Sequence, residues 1–379
     1  MLDFPLMFMY SWILRFTVSS LIAGALTQDA SAADLLVYLG TNSGGAGRGL
    51  SVAHFDTETG ALTNPTLVVE SPAPAYFAIH PDGRHLYAAN ASGFVSAFVI
   101  DPANGALKLL NQVPSGGKET CYISLDQGGK HIFTASYDSG NVAVWEIDPD
   151  FSIGKRTAMR WHTGGQGNPP GEAHSHSIVL DPGGRFAVGA DLGFDRLFVY
   201  RFDDSDGSLT PADHPSVQLP KGAGPRHVVF HPNGKWAYVS NESANTVTAF
   251  SWDGNRGETT ALQTISTLPQ GLRATSYAAE IALHPNGRFL YVSNRGHDSI
   301  AEFSIDPVTG KLAAAGYTPT RGKNPRNFAI DPKGRWMLVT NHLSGNVAVF
   351  RVDPETGVLK AQGEPTVAPE PFGVRFVAR

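Results

Sequence analysis

A five-residue turn signature returns six times along the chain: HPDGR (80–84), DQGGK (126–130), DPGGR (181–185), HPNGK (231–235), HPNGR (284–288) and DPKGR (331–335). Consecutive copies are 46 to 55 residues apart. Each copy sits between two short apolar runs, as with Phe77-Ala78-Ile79 before the first and Leu86-Tyr87-Ala88 after it. Gly or Pro-Gly between alternating apolar segments is the chemistry of a tight hairpin turn. A period of this length means that one supersecondary unit is repeated, and each unit must bury its apolar faces against its neighbours.

A second marker, an apolar residue followed by Asp, occurs seven times: at Asp56, Asp101, Asp148, Asp203, Asp253, Asp306 and Asp353. Most copies continue as D-x-x-x-G-x-L, for example DTETGAL (56–62) and DPVTGKL (306–312). This turn joins two further strands, so each unit carries four: FAIHP, HLYAAN, FVSAFVI and LKLLNQV in the first full copy. The seventh copy of the first turn would follow Phe372-Gly373-Val374-Arg375-Phe376, where the chain ends, and the partner strand is then Leu35 to Gly40. Pairing the two ends accounts for both counts. The fold predicted is all-β, a seven-bladed β-propeller with four antiparallel strands per blade, its ring closed by the N- and C-terminal strands. Closure also hides the strand edges that invite aggregation.

Composition agrees. There are 41 Gly and 26 Pro in 379 residues, against a usual combined share of roughly 12%. The single Cys excludes an intramolecular disulfide framework and a multi-thiolate metal site. A formal charge of −5 gives no electrostatic case for nucleic acid. Residues 1–32 read as a signal peptide and 33–379 as the propeller. Phe16 to Leu26 is apolar, follows Arg15 and precedes Ala30-Ser31-Ala32, a small-x-small cleavage pattern. Met7 or Met9 would make a more typical start for such a segment. A periplasmic or secreted protein, cleaved near Ala32 and free of the membrane afterwards, is the expectation.

The innermost strand of each blade lines the channel, so equivalent positions meet around the axis. Six residues before the turn Pro, or its equivalent, stand Ala75, Cys121, His176, Arg226, Ala279, Arg326 and Glu370; one further on stand Tyr76, Tyr122, Ser177, His227, Glu280, Asn327 and Pro371. The end of the next strand supplies Asn90, Ser136, Asp191, Asn241, Asn294, Asn341 and Asn42, a slot whose uniformity reads as structural capping. One residue later come Ala91, Tyr137, Leu192, Glu242, Arg295, His342 and Ser43. The unlike residues His176, Arg226, Glu242, Glu280, Arg295 and Arg326 converge on one mouth, which points to a site for a charged ligand. The alternative is an ion-pair network that closes the channel. His174 and His176 form an H-x-H pair without a convincing third ligand, so no metal and no cofactor are expected. Cys121 reads as a small buried hydrophobe, and His80, His231 and His284 as turn residues. Gly164 to Gly171 and Gly254 to Thr260 read as polar, Gly-rich insertions.

The ordered combination EAHSHSIVLDPGGR (172–185), GPRHVVFHPNGK (224–235), VSNE (239–242), AAEIALHPNGR (278–288), VSNR (292–295) and NPRNFAIDPKGR (324–335) resembles the seven-bladed lactonase family. That family includes propeller-type 6-phosphogluconolactonases and carboxy-cis,cis-muconate lactonising enzymes. The resemblance runs from Leu35 to Phe376 and implies a small-molecule substrate, an anionic or polyhydroxylated lactone, handled by a monomer. It implies catalytic roles for His176, Arg226, Glu242 and Arg295. His176 would be the general base, with Glu242 orienting it or replacing it, and the two arginines would polarise the lactone carbonyl. His174, His227, Glu280, Arg326 and Asn327 would bind substrate. Phosphogluconolactone is a cytosolic intermediate, so an exported chain implies a different lactone. Cycloisomerisation of a muconate-like acid and a non-catalytic binding propeller are the alternative functions.

Overall fold

The computed structural model describes residues 34–42, 48–163, 172–272 and 275–378. Seven four-stranded antiparallel sheets are present, and in six of them the strand order follows the chain. The first of these comprises Pro74–Ile79, His85–Asn90, Phe94–Ile100 and Leu107–Pro114, close to the four strands expected from sequence. The seventh, the closing blade, places the C-terminal strand Gly373–Ala378 innermost, beside Asp34–Gly40, then Gly49–Asp56 and Thr66–Glu70. Leu35 faces Ala378 and Gly40 faces Gly373 along that seam. The first and last described strands therefore lie in one sheet. The only helix among the described residues is a three-residue 3-10 turn, His342–Ser344, and none is long and apolar enough to cross a membrane. The expected signal segment and the insertion Gly164 to Gly171 lie outside the described residues.

Apolar layers between blades hold the ring together. Phe55 of the closing blade meets Trp336 of its neighbour edge-on at 5.8 Å and Phe376 of its own sheet at 5.4 Å. Tyrosines on the second strands of four blades stitch each of them to the next. Tyr38, Tyr238 and Tyr291 donate to the carbonyls of Gly105, Gly310 and Gly357 at 2.7, 2.9 and 2.8 Å. The turn histidines do the same at the turn end: His80, His231 and His284 reach the carbonyls of Gly129, Gly287 and Gly334 at 3.0, 2.9 and 2.7 Å. They are turn residues that also link neighbouring blades.

Two expectations are corrected. Gly254 to Thr260 is no insertion: Gly254–Gly257 is the regular second turn of its blade, and the outer strand Glu258–Ser266 starts directly after it. In the closing blade, Glu370 and Pro371 do not occupy the inner-strand slots. They precede the strand, with Glu370 in left-handed backbone (φ 44°) and ion-paired to Arg48 at 2.6 Å. The residue this blade sends into the channel is Arg375. The other inner strands have their turn ahead of them as a ruler, whereas this strand ends the chain.

The inner strands share a feature that positions the site. In six blades the register slips by one residue near the strand start, as a β-bulge; in five the extra residue is Ala75, Cys121, His176, Arg226 or Arg326, and in the sixth Ala279 and Glu280 together oppose one residue. A bulge re-aims the inserted side chain. Two successive residues of each strand thus serve the channel instead of alternating across the sheet.

Candidate active site

The bulged residues form the mouth, and the residues after them form a layer beneath it. In the mouth, Glu242 Oε2 lies 2.9 Å from Arg226 Nε and 2.7 Å from Arg295 Nη2. Both arginines are buried. Burial alone would raise the Glu242 carboxyl, but Arg226 and Arg295 hold it below the usual carboxylate range. Glu242 is therefore ionised and committed to two guanidiniums. Arg326 lies 4.1 Å from the centre of the Phe372 ring and has no carboxylate partner within 4.0 Å among the described residues. Burial and the charges of Arg226 and Arg295 lower its proton affinity. Three guanidiniums thus face one ionised carboxylate.

His176 sits among them, buried, with its ring 5.1 Å from that of His227 and its Nδ1 4.0 Å from Cys121 Sγ. Burial, Arg226 and His227 hold its imidazole well below the usual range, so it is unprotonated at neutral pH. His174 stacks on Tyr137 at 4.3 Å, with Nδ1 3.2 Å from the Tyr137 carbonyl. Tyr137 also meets the His176 ring edge-on at 5.6 Å, so it touches both histidines of the H-x-H pair. Among the described residues, groups of three close metal-ligand side chains occur only elsewhere, at His80, Asp82 and His85 and at Asp126, His131 and Asp204.

The layer beneath is a closed polar network. His227 Nδ1 lies 3.1 Å from Glu280 Oε1, and the Tyr76 hydroxyl donates to Glu280 Oε2 at 3.2 Å. Asn327 donates its amide N–H to the same oxygen and accepts from Arg375 Nη1 at 3.0 Å. Arg375 also covers the Tyr76 ring at 4.5 Å, and Tyr76 stacks on Tyr122 at 4.5 Å. Burial raises Glu280 above the usual carboxylate range in spite of Arg375 and Arg226. Beyond this layer, cavities of about 430 and 570 Å³ open at the turn end, lined mainly by strand ends and turns. Another groove, about 740 Å³, lies away from the axis, and its Arg288 and Glu355 pair with each other at 3.5 Å. It offers no unbalanced charge.

The structure therefore brings His174, His176, Arg226, Glu242, Arg295 and Arg326 together at the mouth, and places His227, Glu280 and Asn327 in the layer below. Arg375 was missed because its blade has no downstream turn for alignment. Tyr137, which supports His174, stands in the same repeat slot as Glu242 and Arg295; the aromatic supports missed were Phe372 under Arg326 and Tyr277, half-exposed and 5.8 Å from Arg295. Only their nearness to the strand starts was available as a signal.

Cysteine and serine nucleophiles are disfavoured. Burial pushes the Cys121 thiol up to about 12. Ser175, His162 and Asp191 lie within 3.2 Å of one another, but all three are buried and both partners use the same ring nitrogen, Nδ1. A relay would need opposite nitrogens.

The family model for the seven-bladed β-propeller lactonases matches residues 36–376. The chain belongs to that family. A 6-phosphogluconolactonase of Bacillus subtilis is 36% identical over 295 residues, covering 77% of this chain and 83% of its own. One from Formosa agariphila is 34% identical, over 75% of this chain and 82% of its own. The structure of the Pseudomonas aeruginosa periplasmic gluconolactonase superposes with a TM-score of 0.85 at 32% identity, covering 91% of this chain and 99% of that one. This lactonase-family propeller therefore shares its fold, over most of its length, with these relatives.

Proposed function

We propose that the protein hydrolyses a small lactone at the bulged mouth, and that the substrate is an aldonolactone or related ring ester met outside the cytosol. The observation that carries this is the surplus of guanidinium at the mouth, set beside an unprotonated, buried imidazole. Hydrolysis builds negative charge on the carbonyl oxygen, and fixed cations in a water-poor site stabilise it as it forms. Arg226 and Arg295, held by Glu242, face that charge. Arg326 receives a carboxylate, phosphate or hydroxyl of the substrate. His176 takes the proton of the attacking water; its imidazolium is disfavoured beside Arg226 and Arg326 until the oxyanion forms, which makes the help specific to the transition state. The likeness to a periplasmic gluconolactonase and the apolar segment before Ala32 support export and a non-phosphorylated substrate.

The test is proton release by the purified protein on gluconolactone, 6-phosphogluconolactone and a muconolactone, corrected for spontaneous hydrolysis. Turnover that falls at least 100-fold in Arg226→Ala and His176→Ala, both still folded, is the expected result; a hydrogen-bond donor to an oxyanion is worth roughly that. No turnover on any member overturns hydrolysis, and muconate depletion then tests the cycloisomerase reading.

A further inference from the structure

At the turn end of the propeller, opposite the mouth, two repeat slots hold residues unlike their equivalents. The residue after the first turn is Phe186, Trp236, Phe289 or Trp336 in four blades, but His85 or His131 in two others. The residue after the Asp of the second turn is Thr57, Pro102, Pro149, Gly254, Pro307 or Pro354 in six blades, and Asp204 in the seventh. The aromatic ring of the first slot packs on the glycine of the next blade's second turn, as Phe186 does on Gly257 and Trp236 on Gly310. Gly207, the equivalent glycine beyond His131, meets Thr157 instead. His131 faces the other unlike residue, with Nδ1 3.6 Å from Asp204 Oδ1.

His131 is buried, and its Nδ1 makes no hydrogen bond among the described residues. A buried polar nitrogen without a partner is costly. Asp204 Oδ1 lies just beyond hydrogen-bonding reach. Two ligands of one tetrahedral Zn²⁺, each bonded at about 2.0–2.2 Å, stand about 3.4 Å apart. A third ligand is already fixed in place. Asp126 is buried in the first turn, where its Oδ1 accepts from the Lys130 and His131 N–H groups at 2.8 and 2.6 Å and its Oδ2 from Gly128 N–H at 3.1 Å. A carboxylate oxygen has two lone pairs, so Oδ2 keeps one. One ligand atom each from Asp126, His131 and Asp204 lies within 4.8 Å of the other two. Lys130 Nζ donates to Asp204 Oδ2 at 2.8 Å, which leaves Oδ1 toward His131, and its side chain is 63% exposed and free to swing away. The cluster of His80, Asp82 and His85 differs. His80 Nδ1 accepts from Asp82 N–H at 3.2 Å, as His231 and His284 accept from Asn233 and Asn286, and His85 Nδ1 is 2.7 Å from Asp82 Oδ2.

We propose that Asp126, His131 and Asp204 bind a divalent transition-metal ion of the Zn²⁺ type, which clamps two neighbouring blades together. One imidazole and two carboxylates suit Zn²⁺, with water as the fourth ligand, whereas Ca²⁺ takes oxygen ligands alone. The ion joins the blade that begins with Thr120–Leu125 to the blade that begins with Ser175–Leu180. Lying at the opposite end from the mouth, it acts on stability and stands apart from the lactonase reading.

Calorimetric titration of the untagged, chelator-treated protein with zinc chloride, with Tm read in parallel, tests the proposal. Wild type should bind Zn²⁺ saturably at this site and gain Tm as Zn²⁺ rises. His131→Phe installs the residue type of the equivalent slots. It and Asp204→Asn should each weaken that binding by more than roughly 10-fold, the least that disturbing even an outer-shell partner costs, and remove the gain in Tm. Lys130→Ala should tighten binding, because a neighbouring positive charge is gone, and Asp82→Asn should leave it unchanged. If His131→Phe does not fold, Asp204→Asn and Lys130→Ala, changes at exposed side chains, decide. Wild type with no saturable Zn²⁺ binding, binding undiminished in His131→Phe or Asp204→Asn, weaker binding in Lys130→Ala, or binding lost in Asp82→Asn overturns the proposal.

Discussion

The guanidinium of Arg326 lies 4.1 Å from the centre of the Phe372 ring. The ring supports a charge that lacks a carboxylate partner within 4.0 Å among the described residues, while Arg226 and Arg295 share Glu242. A partly desolvated cation without an anion is costly, and a substrate anion or hydroxyl would lower that cost. Arg326→Ala should raise KM for an anionic lactone by roughly 10- to 100-fold, the worth of a charge-assisted hydrogen bond. The rise on neutral gluconolactone should be at most a few-fold. Equal effects on the two substrates would mean that Arg326 braces the mouth without contacting the anion.

Glu242 is the keystone of the other two arginines. Glu242→Gln leaves the Arg226 and Arg295 charges buried without a counter-charge. Breaking a buried pair from one side costs about 3–5 kcal/mol, and Glu242, whose side chain is 19% exposed, should fall at the low end of that range in urea unfolding. Glu242→Gln/Arg295→Gln should recover part of the loss, because one of the two stranded charges is gone. A single variant as stable as wild type would show that solvent already screens the cluster.

The buried imidazoles set the acid side of stability. His176 and His227 have proton affinities held well below the usual value, first by burial and then by Arg226. In the unfolded chain both titrate near about 6.5. Below that pH the unfolded state binds protons that the native state refuses, so stability falls as pH falls, by up to about 1.4 kcal/mol per pH unit for each imidazole. Glu280 acts in the opposite direction: its raised carboxyl binds a proton in the native state first, and stability is gained as pH falls through its native pKa. Urea unfolding between pH 7.5 and 5.5 should show a loss of stability for wild type and a shallower one for His176→Gln. An identical slope in the variant would place the His176 imidazole in contact with solvent.

The fold was legible because the repeat has an internal ruler. Turns such as HPDGR and DPKGR fix the register of each inner strand, and the hydrophobic alternation then settles which residues reach the axis. The ruler failed in the closing blade, where Arg375 replaces the expected Glu370 and Pro371. The site was legible as a set of residues and illegible as two layers. Alternation predicts that either His227 or Arg226 faces the channel, and the bulge lets both do so. Bulges arise from pairing between strands, and nothing in the local composition of SHSIVL or PRHVVF announces them. Phe372 was hidden for a related reason, since it comes from a loop that the repeat does not align.

Cys121 beside His176 has the outline of a nucleophile and its base, with Sγ 4.0 Å from Nδ1. The environment argues against that role. The thiol is pushed up to about 12 by burial, so almost no thiolate, the reactive form, is present at neutral pH. Cys121→Ala should keep turnover within about threefold, and iodoacetamide should label the native protein far more slowly than the urea-unfolded chain, because alkylation proceeds through the thiolate. Rapid native labelling with loss of activity would restore Cys121 as a candidate nucleophile.

Closure of the ring by Gly373–Ala378 makes the C-terminus structural. The strand supplies the innermost edge of its blade, places Phe376 against Phe55 at 5.4 Å, and sends Arg375 to Asn327 at 3.0 Å. Removal of residues 373–379 exposes the edge of Asp34–Gly40 and takes the counter-charge from Glu280. Loss of cooperative thermal unfolding, or a Tm lower by at least 10 °C, is expected from an exposed edge and a broken buried network together. Arg375→Gln keeps the strand and removes only the charge, so it should unfold cooperatively with a smaller loss. If the truncated chain melts like wild type, the seam between the two ends contributes little, and the six remaining blades hold the ring without it.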